Sequence, residues 1–189
     1  MMDPFIKMVY APEMRVMERI LHPLSAYHLA AMSLIQSPYM SGGVPAPSDT
    51  IAAVCVCSTR WQDGASQLMT LQEAAVQSWA AQLKELNWDK AQSDFREYCD
   101  FYLSDLPEVW QEKGRTCKPS ALPLPAHSVA TVMMYMHGIT EDQAWNMPIN
   151  RLLAYRAAIA ENNGYELLSE RQRELFKIRD NIRQEVSHA

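Results

Sequence analysis

Between Met136 and Gly164 the chain carries two helix starts and two helix stops in one short run, and this punctuation constrains its fold more than any other stretch. Gly138 suits a helix C-terminus. Thr140 with Gln143 forms a capping box, in which each side chain satisfies the other residue's backbone N–H. Pro148 suits a first helical turn, and Asn163-Gly164 ends the helix that Ile149 to Glu161 would form. The segment therefore reads as a short helix from Glu141 to Asn146, a break, and a longer helix from Pro148 to Asn162. The signal is architectural, and no catalytic motif of comparable clarity occurs elsewhere.

The same grammar extends upstream. Met1 to Tyr10 lack periodicity and read as an arm, and Pro12 precedes a short helix over Glu13 to Leu21. A helix starting at Ser25 carries Tyr27, His28, Leu29, Met32 and Ile35 and ends before Pro38, because a residue preceding proline is pushed out of the helical region. Ser41 to Pro47 is a loop by composition. Ser48 or Asp49 then caps a helix from about Thr50 to Arg60. Ile51 to Cys57 offers no polar face, so this helix belongs at the centre of the protein; a strand over Ala52 to Cys57 is the weaker alternative. Thr70 and Glu73 cap a helix reaching Leu86, and Asn87 caps a second, with Ala91, Phe95, Tyr98, Cys99, Tyr102 and Leu103 on one stripe. These two would pack as a hairpin, with Pro107 stopping the second. A helix from about Ala126 to His137 follows, and Ser169 with Gln172 opens a last one.

The expected fold is therefore all-α: a compact bundle of two lobes, with about seven to eight helices joined by Pro- and Gly-rich loops. Lys118 to Pro125 holds three prolines and separates an N-terminal lobe (residues 1–117) from a C-terminal one (126–189), which could still share a core. Six glycines in 189 residues, with 48% hydrophobic and 21% charged residues, describe a globular rather than a disordered chain.

A net charge of −5 without a basic stripe argues against nucleic acid, since phosphate recognition concentrates Lys and Arg on one face. The longest apolar run, Ile51 to Cys57, is far short of the roughly 20 residues that span a bilayer, so a cytoplasmic protein with no membrane association is expected. The four cysteines should be reduced.

Cys55, Cys57, Cys117, His127 and His137 do not have the spacing of a zinc site, because Cys55 and Cys57 lie within an apolar helical run and no second close pair is present. No cysteine has the flanking signature of a nucleophile, and Ser128 beside His127 cannot form a nucleophile–base pair because helical neighbours point about 100° apart. Phosphate loops and dinucleotide fingerprints are absent. His28 in an apolar face reads as a core histidine bonded to backbone rather than a ligand. No catalytic residue, metal or cofactor is expected, and the protein should not be an enzyme. The suggestive surface is Met133, Met134, Tyr135 and Met136 with Trp145 and Met147, because unbranched thioethers adapt to varied apolar partners. The competing reading sends Val129, Met133 and Met136 into the core, leaves Met134 at its edge and makes Trp145 a core anchor.

Two stretches carry a resemblance. Leu24-Ser25-Ala26-Tyr27-His28-Leu29, Ser37-Pro38-Tyr39 and Val54-Cys55-Val56-Cys57-Ser58 form one; Ile139 to Pro148, followed by a helix carrying Tyr155, forms the other. In this succession of proline-flanked helices and a short acidic helix ending in an aromatic and Met-Pro, the chain resembles bacteriophage and prophage tail assembly chaperones. The resemblance covers roughly half the chain and no catalytic signature. It implies a non-enzymatic factor in the bacterial cytoplasm that keeps hydrophobic segments of the tape-measure protein soluble, recruits tail-tube subunits, and leaves room for a homo-oligomer. The extended helical middle, Thr70 to Leu106, departs from that family and admits a minor structural or connector protein of the particle instead. A third alternative is a helix-turn-helix DNA-binding regulator built on Thr140 to Asn162, whose recognition helix would offer only Arg151 and Arg156.

Overall fold

The structure, a computed structural model, describes residues 10–68, 86–104, 108–110, 123–164 and 166–168. Within them the chain is mostly helical, with eight helices and two short two-stranded antiparallel ladders.

The first element corrects the sequence reading. Instead of a helix over Glu13 to Leu21, strands β1 (Met14–Val16) and β2 (Arg19–Leu21) pair antiparallel, with Met14 opposite Leu21 and Val16 opposite Arg19. Met17 and Glu18 make the two-residue turn, both in the left-handed region at φ 53° and 63°, a conformation usually supplied by Asn or Gly. Left-handed backbone costs roughly 1–2 kcal/mol per residue. Burying Val16, Met17 and Leu21, each at most 8% exposed, recovers roughly 1.5–3 kcal/mol apiece. Tertiary burial therefore wins over local preference.

Helix α1 (Ala26–Leu34) begins one residue after the expected start at Ser25, which serves as its N-cap. Ser25 is extended at φ −116°, and its hydroxyl faces the His28 N–H while the His28 ring accepts from the Ser25 N–H. Past Gln36, which turns the chain at φ 53°, a one-turn helix α2 (Pro38–Ser41) takes the start of the expected loop and stops at Gly42, φ 75°. Helix α3 (Pro47–Cys57) starts and ends about three residues earlier than read. Pro47 occupies its first position, and the Asp49 carboxylate accepts the Ala46 N–H at 2.8 Å. Thr50, Ile51, Ala53, Val54, Val56 and Cys57 are buried, so α3 is the central helix.

Helix α4 (Trp61–Leu68) runs through Gly64, where the sequence reading had no element. Helix α5 (Trp88–Leu103) is capped by Asn87, whose carbonyl oxygen accepts the Lys90 N–H at 3.0 Å. Its buried stripe of Ala91, Phe95, Tyr98, Cys99 and Tyr102 faces α3 and β1. Tyr39, Phe95, Tyr98 and Tyr102 form a run of tilted and edge-on rings 4.6–5.5 Å apart, a geometry that aromatic quadrupoles favour. The Tyr98 hydroxyl donates to the His22 carbonyl at 2.7 Å, tying α5 to the segment before α1.

Strand β3 (Glu108–Trp110) pairs with β4 (Glu166–Leu168), which lies just past the last described helix. Three further helices complete the described fold: α6 (Leu124–Tyr135), α7 (Glu141–Asn146) and α8 (Ile149–Asn162). Helix α6 starts two residues before the predicted Ala126, so Pro123 and Pro125 open a helix rather than close a connection. Both halves of the Thr140–Gln143 capping box form, at 3.0 and 3.2 Å. Pro148 stands at the N-cap of α8, and Gly164 past its end adopts φ 83°. The Ile149 N–H donates to the Leu24 carbonyl at 2.7 Å, and Ser25 bridges Pro148, so the starts of α1 and α8 are stitched together. One core cluster draws Leu24 and Met32, Ile51 and Val54, Phe95 and Tyr98, Val132, Ala144 and Leu152 from six helices and the segment before α1. The expected helices opening at Thr70 and at Ser169, residues 118–122 and Cys117 lie outside the described residues.

Candidate functional site

Helix α7 is too short to be stable alone, so its position depends on what it touches. Asn146 supplies the main staple. Its side-chain carbonyl accepts the Trp61 N–H at 3.0 Å, and its amide donates to the Asp142 carbonyl at 2.8 Å. The first N–H groups of a helix lack internal partners, and Arg60, the residue before α4, has no side-chain acceptor to offer. Asn146 fills that role from a distant point in the chain. Beside it, the Trp145 and Trp61 rings stack with centroids 4.9 Å apart at 13°. Trp61 also meets Tyr27 edge-on at 5.7 Å. The Trp145 indole N–H donates to Glu141 at 3.2 Å, which leaves the half-buried ring no unpaired polar atom.

The six residues named from sequence divide into two groups. Met133, Met134 and Tyr135 are exposed at the C-terminal end of α6, at 38%, 76% and 53%. Met136, Trp145 and Met147 are partly buried and packed against the core. Core packing on α6 is done by Val129 and Val132, so Met133 does not fill the core as the competing reading had it. The Tyr135 hydroxyl accepts from the Asn163 amide at 3.4 Å, linking the exposed end of α6 to the end of α8.

A cleft of about 340 Å³ lies between α7 and the body of the protein. Asp142, Gln143 and Asn146 form one wall; His22, Pro23, His28, Arg60 and Gln62 form the other. Among these, sequence singled out His28, and Gln143 as a capping residue. The lining comes from distant places in the chain, and no spacing pattern announces that these residues meet.

His28 is 1% exposed, and both ring nitrogens are engaged. Nδ1 accepts the Ser25 N–H at 3.1 Å, and Nε2 lies 2.8 Å from the Thr59 carbonyl, to which it must therefore donate. Burial lowers its pKa to about 4 against the pull of the Thr59 carbonyl, so the ring is neutral at ordinary pH. A ring with both nitrogens committed to backbone is a strut, not an acid, base or ligand. Burial and the Arg60 guanidinium push His22 below the ordinary imidazole value, and Asp63 pulls it up.

The described thiols are free and unreactive in character. Burial raises Cys55 and Cys57, the latter well above the usual thiol value, and lifts Cys99 to about 12. Among the described residues no group of three or more His, Cys, Asp or Glu side chains could hold a metal ion, and no helix is long and apolar enough to cross a membrane. No protein-family model, no curated protein and no solved structure matches the chain.

Proposed function

We propose that the protein works by binding: a non-enzymatic phage tail assembly factor, a chaperone that takes up hydrophobic segments of the tape-measure protein. The observation that carries the binding reading is the end of α6, where Met133, Met134 and Tyr135 project consecutively into solvent while Val129 and Val132 anchor the same helix in the core. Flexible thioethers beside an amphipathic phenol suit an apolar segment of variable sequence. The tail-assembly identity of that segment rests on the resemblance described above.

The helix-turn-helix reading is disfavoured. A recognition helix contacts bases through its N-terminal residues, whereas Ile149, Asn150 and Leu152 of α8 are buried and the Ile149 N–H is bonded to the Leu24 carbonyl.

Co-expression with the tape-measure protein of the same gene cluster tests the proposal. Co-purification, and a larger soluble fraction of the tape-measure protein, is the expected result. Two proteins that neither co-purify nor change each other's solubility would sink it. Mass spectrometry of purified particles separates the alternative of a minor structural component, because an assembly chaperone is missing from the finished particle.

A further inference from the structure

We infer that the cleft between α7 and the body of the protein is a binding site for a small zwitterion, an α-amino acid with an uncharged hydrogen-bonding side chain. The two walls carry opposite charges that do not satisfy each other. Arg60 stands on one wall and Asp142 on the other, and among the described residues neither side chain has an ion pair or a hydrogen bond. The amides of the lining add donors. The Gln143 side-chain carbonyl accepts the Thr140 N–H at 3.0 Å and the Gln62 side-chain carbonyl accepts the Asn146 amide at 3.5 Å, which leaves both NH2 groups for an occupant. The histidines add no charge at neutral pH: burial holds His22 and His28 below the ordinary imidazole value, and both His28 nitrogens are spent on backbone.

A cleft with one cation, one anion and two amide donors complements a molecule that carries a carboxylate, an ammonium group and a further carbonyl oxygen. A simple anion or cation would satisfy one wall and meet like charge on the other. The site is also preformed. Ala144 is buried in the core, the Trp145 ring stacks on Trp61, and the Ser25–Pro148 bridge ties down the chain just past α7, so binding does not have to order this wall. A volume of about 340 Å³ lies at the small end of ligand pockets and suits a ligand of about ten non-hydrogen atoms. Arg60 and Asp142 are exposed, so water screens both, and the expected Kd is about 1–10 mM. The cleft shares no residue with the exposed end of α6 and stands independently of the chaperone reading.

Titration of the isotope-labelled full chain with L-glutamine, followed by NMR, tests it. Saturable shifts of the Gln62, Gln143 and Asn146 side-chain amides are expected, with a Kd in that range. Arg60→Gln and Asp142→Asn, at exposed positions, should each weaken binding about three- to fivefold. N-acetyl-L-glutamine, which has no ammonium group, should bind the wild-type protein more weakly than L-glutamine and lose nothing further on Asp142→Asn, because the group that Asp142 reads is already gone. The absence of saturable shifts at the cleft by about 50 mM ligand, or either variant binding L-glutamine as tightly as the wild type, would overturn the inference.

Discussion

Replacing Gly64 with alanine sets two effects of opposite sign against each other. In an exposed helix interior the change is favourable by ~1 kcal/mol, because glycine loses more backbone freedom than alanine. In α4, however, Gly64 is buried with the Tyr27 side chain directly against it. An added Cβ would fall inside the Tyr27 hydroxyl and its ring carbon, and 2.9 Å from the Thr59 hydroxyl oxygen. Tyr27 cannot simply swing away, since it is 2% exposed and wedged between the His28 ring at 5.2 Å and Trp61 at 5.7 Å. Overpacking of this kind costs about 3 kcal/mol or more. The net expectation is a loss of about 2 kcal/mol, or a fall in Tm of about 4–8 °C for a chain of this size. Urea unfolding followed by circular dichroism measures it, with an unchanged slope showing that the folded state is retained. Tyr27→Phe combined with Gly64→Ala should recover part of the loss, because the hydroxyl is the atom most deeply overlapped. A neutral or stabilising Gly64→Ala would refute the placement of α4 against α1.

His28 should make the protein acid-sensitive. Its folded pKa is depressed from 6.5 to about 4, so the unfolded chain binds more protons in that window; stability is complete above pH 6.5 and falls by about 3 kcal/mol as the pH drops to 4. Unfolding free energies of wild type and His28→Gln across that range check it, and parallel curves would contradict the neutral-strut assignment. Met134→Ser, at a side chain 76% exposed, should change stability by less than about 0.5 kcal/mol while reducing co-purification with the tape-measure protein; Val132→Ala, at a fully buried site, should cost about 2 kcal/mol. Cys57 and Cys99, both buried with raised thiol pKa values, should resist a thiol reagent at neutral pH until the protein is unfolded. Labelling of the native protein at the unfolded rate would show that α3 and α5 do not enclose them.

What the residues determined unaided is the set of interactions that close within one helical turn. Ser25 with His28, Asn87 with Lys90, and Thr140 with Gln143 each join positions three apart, so their side chains meet the backbone whatever the rest of the chain does. The apolar run Ile51 to Cys57 likewise announced a central helix, because a helix without a polar face has nowhere else to go. Tertiary structure decided the remainder, through contacts between residues far apart in sequence. The β1–β2 hairpin holds Met17 and Glu18 in a conformation that neither prefers, and burial of Val16 and Leu21 outweighs the strain. Helix α4 passes through Gly64 because Tyr27 needs the space and Asn146 caps its first turn. The division of the methionine-rich stretch was illegible for the same reason: Met133 and Val132 are neighbours of similar hydrophobicity, and only the packing of α6 on α1 and α8 sends one to the core and the other to solvent.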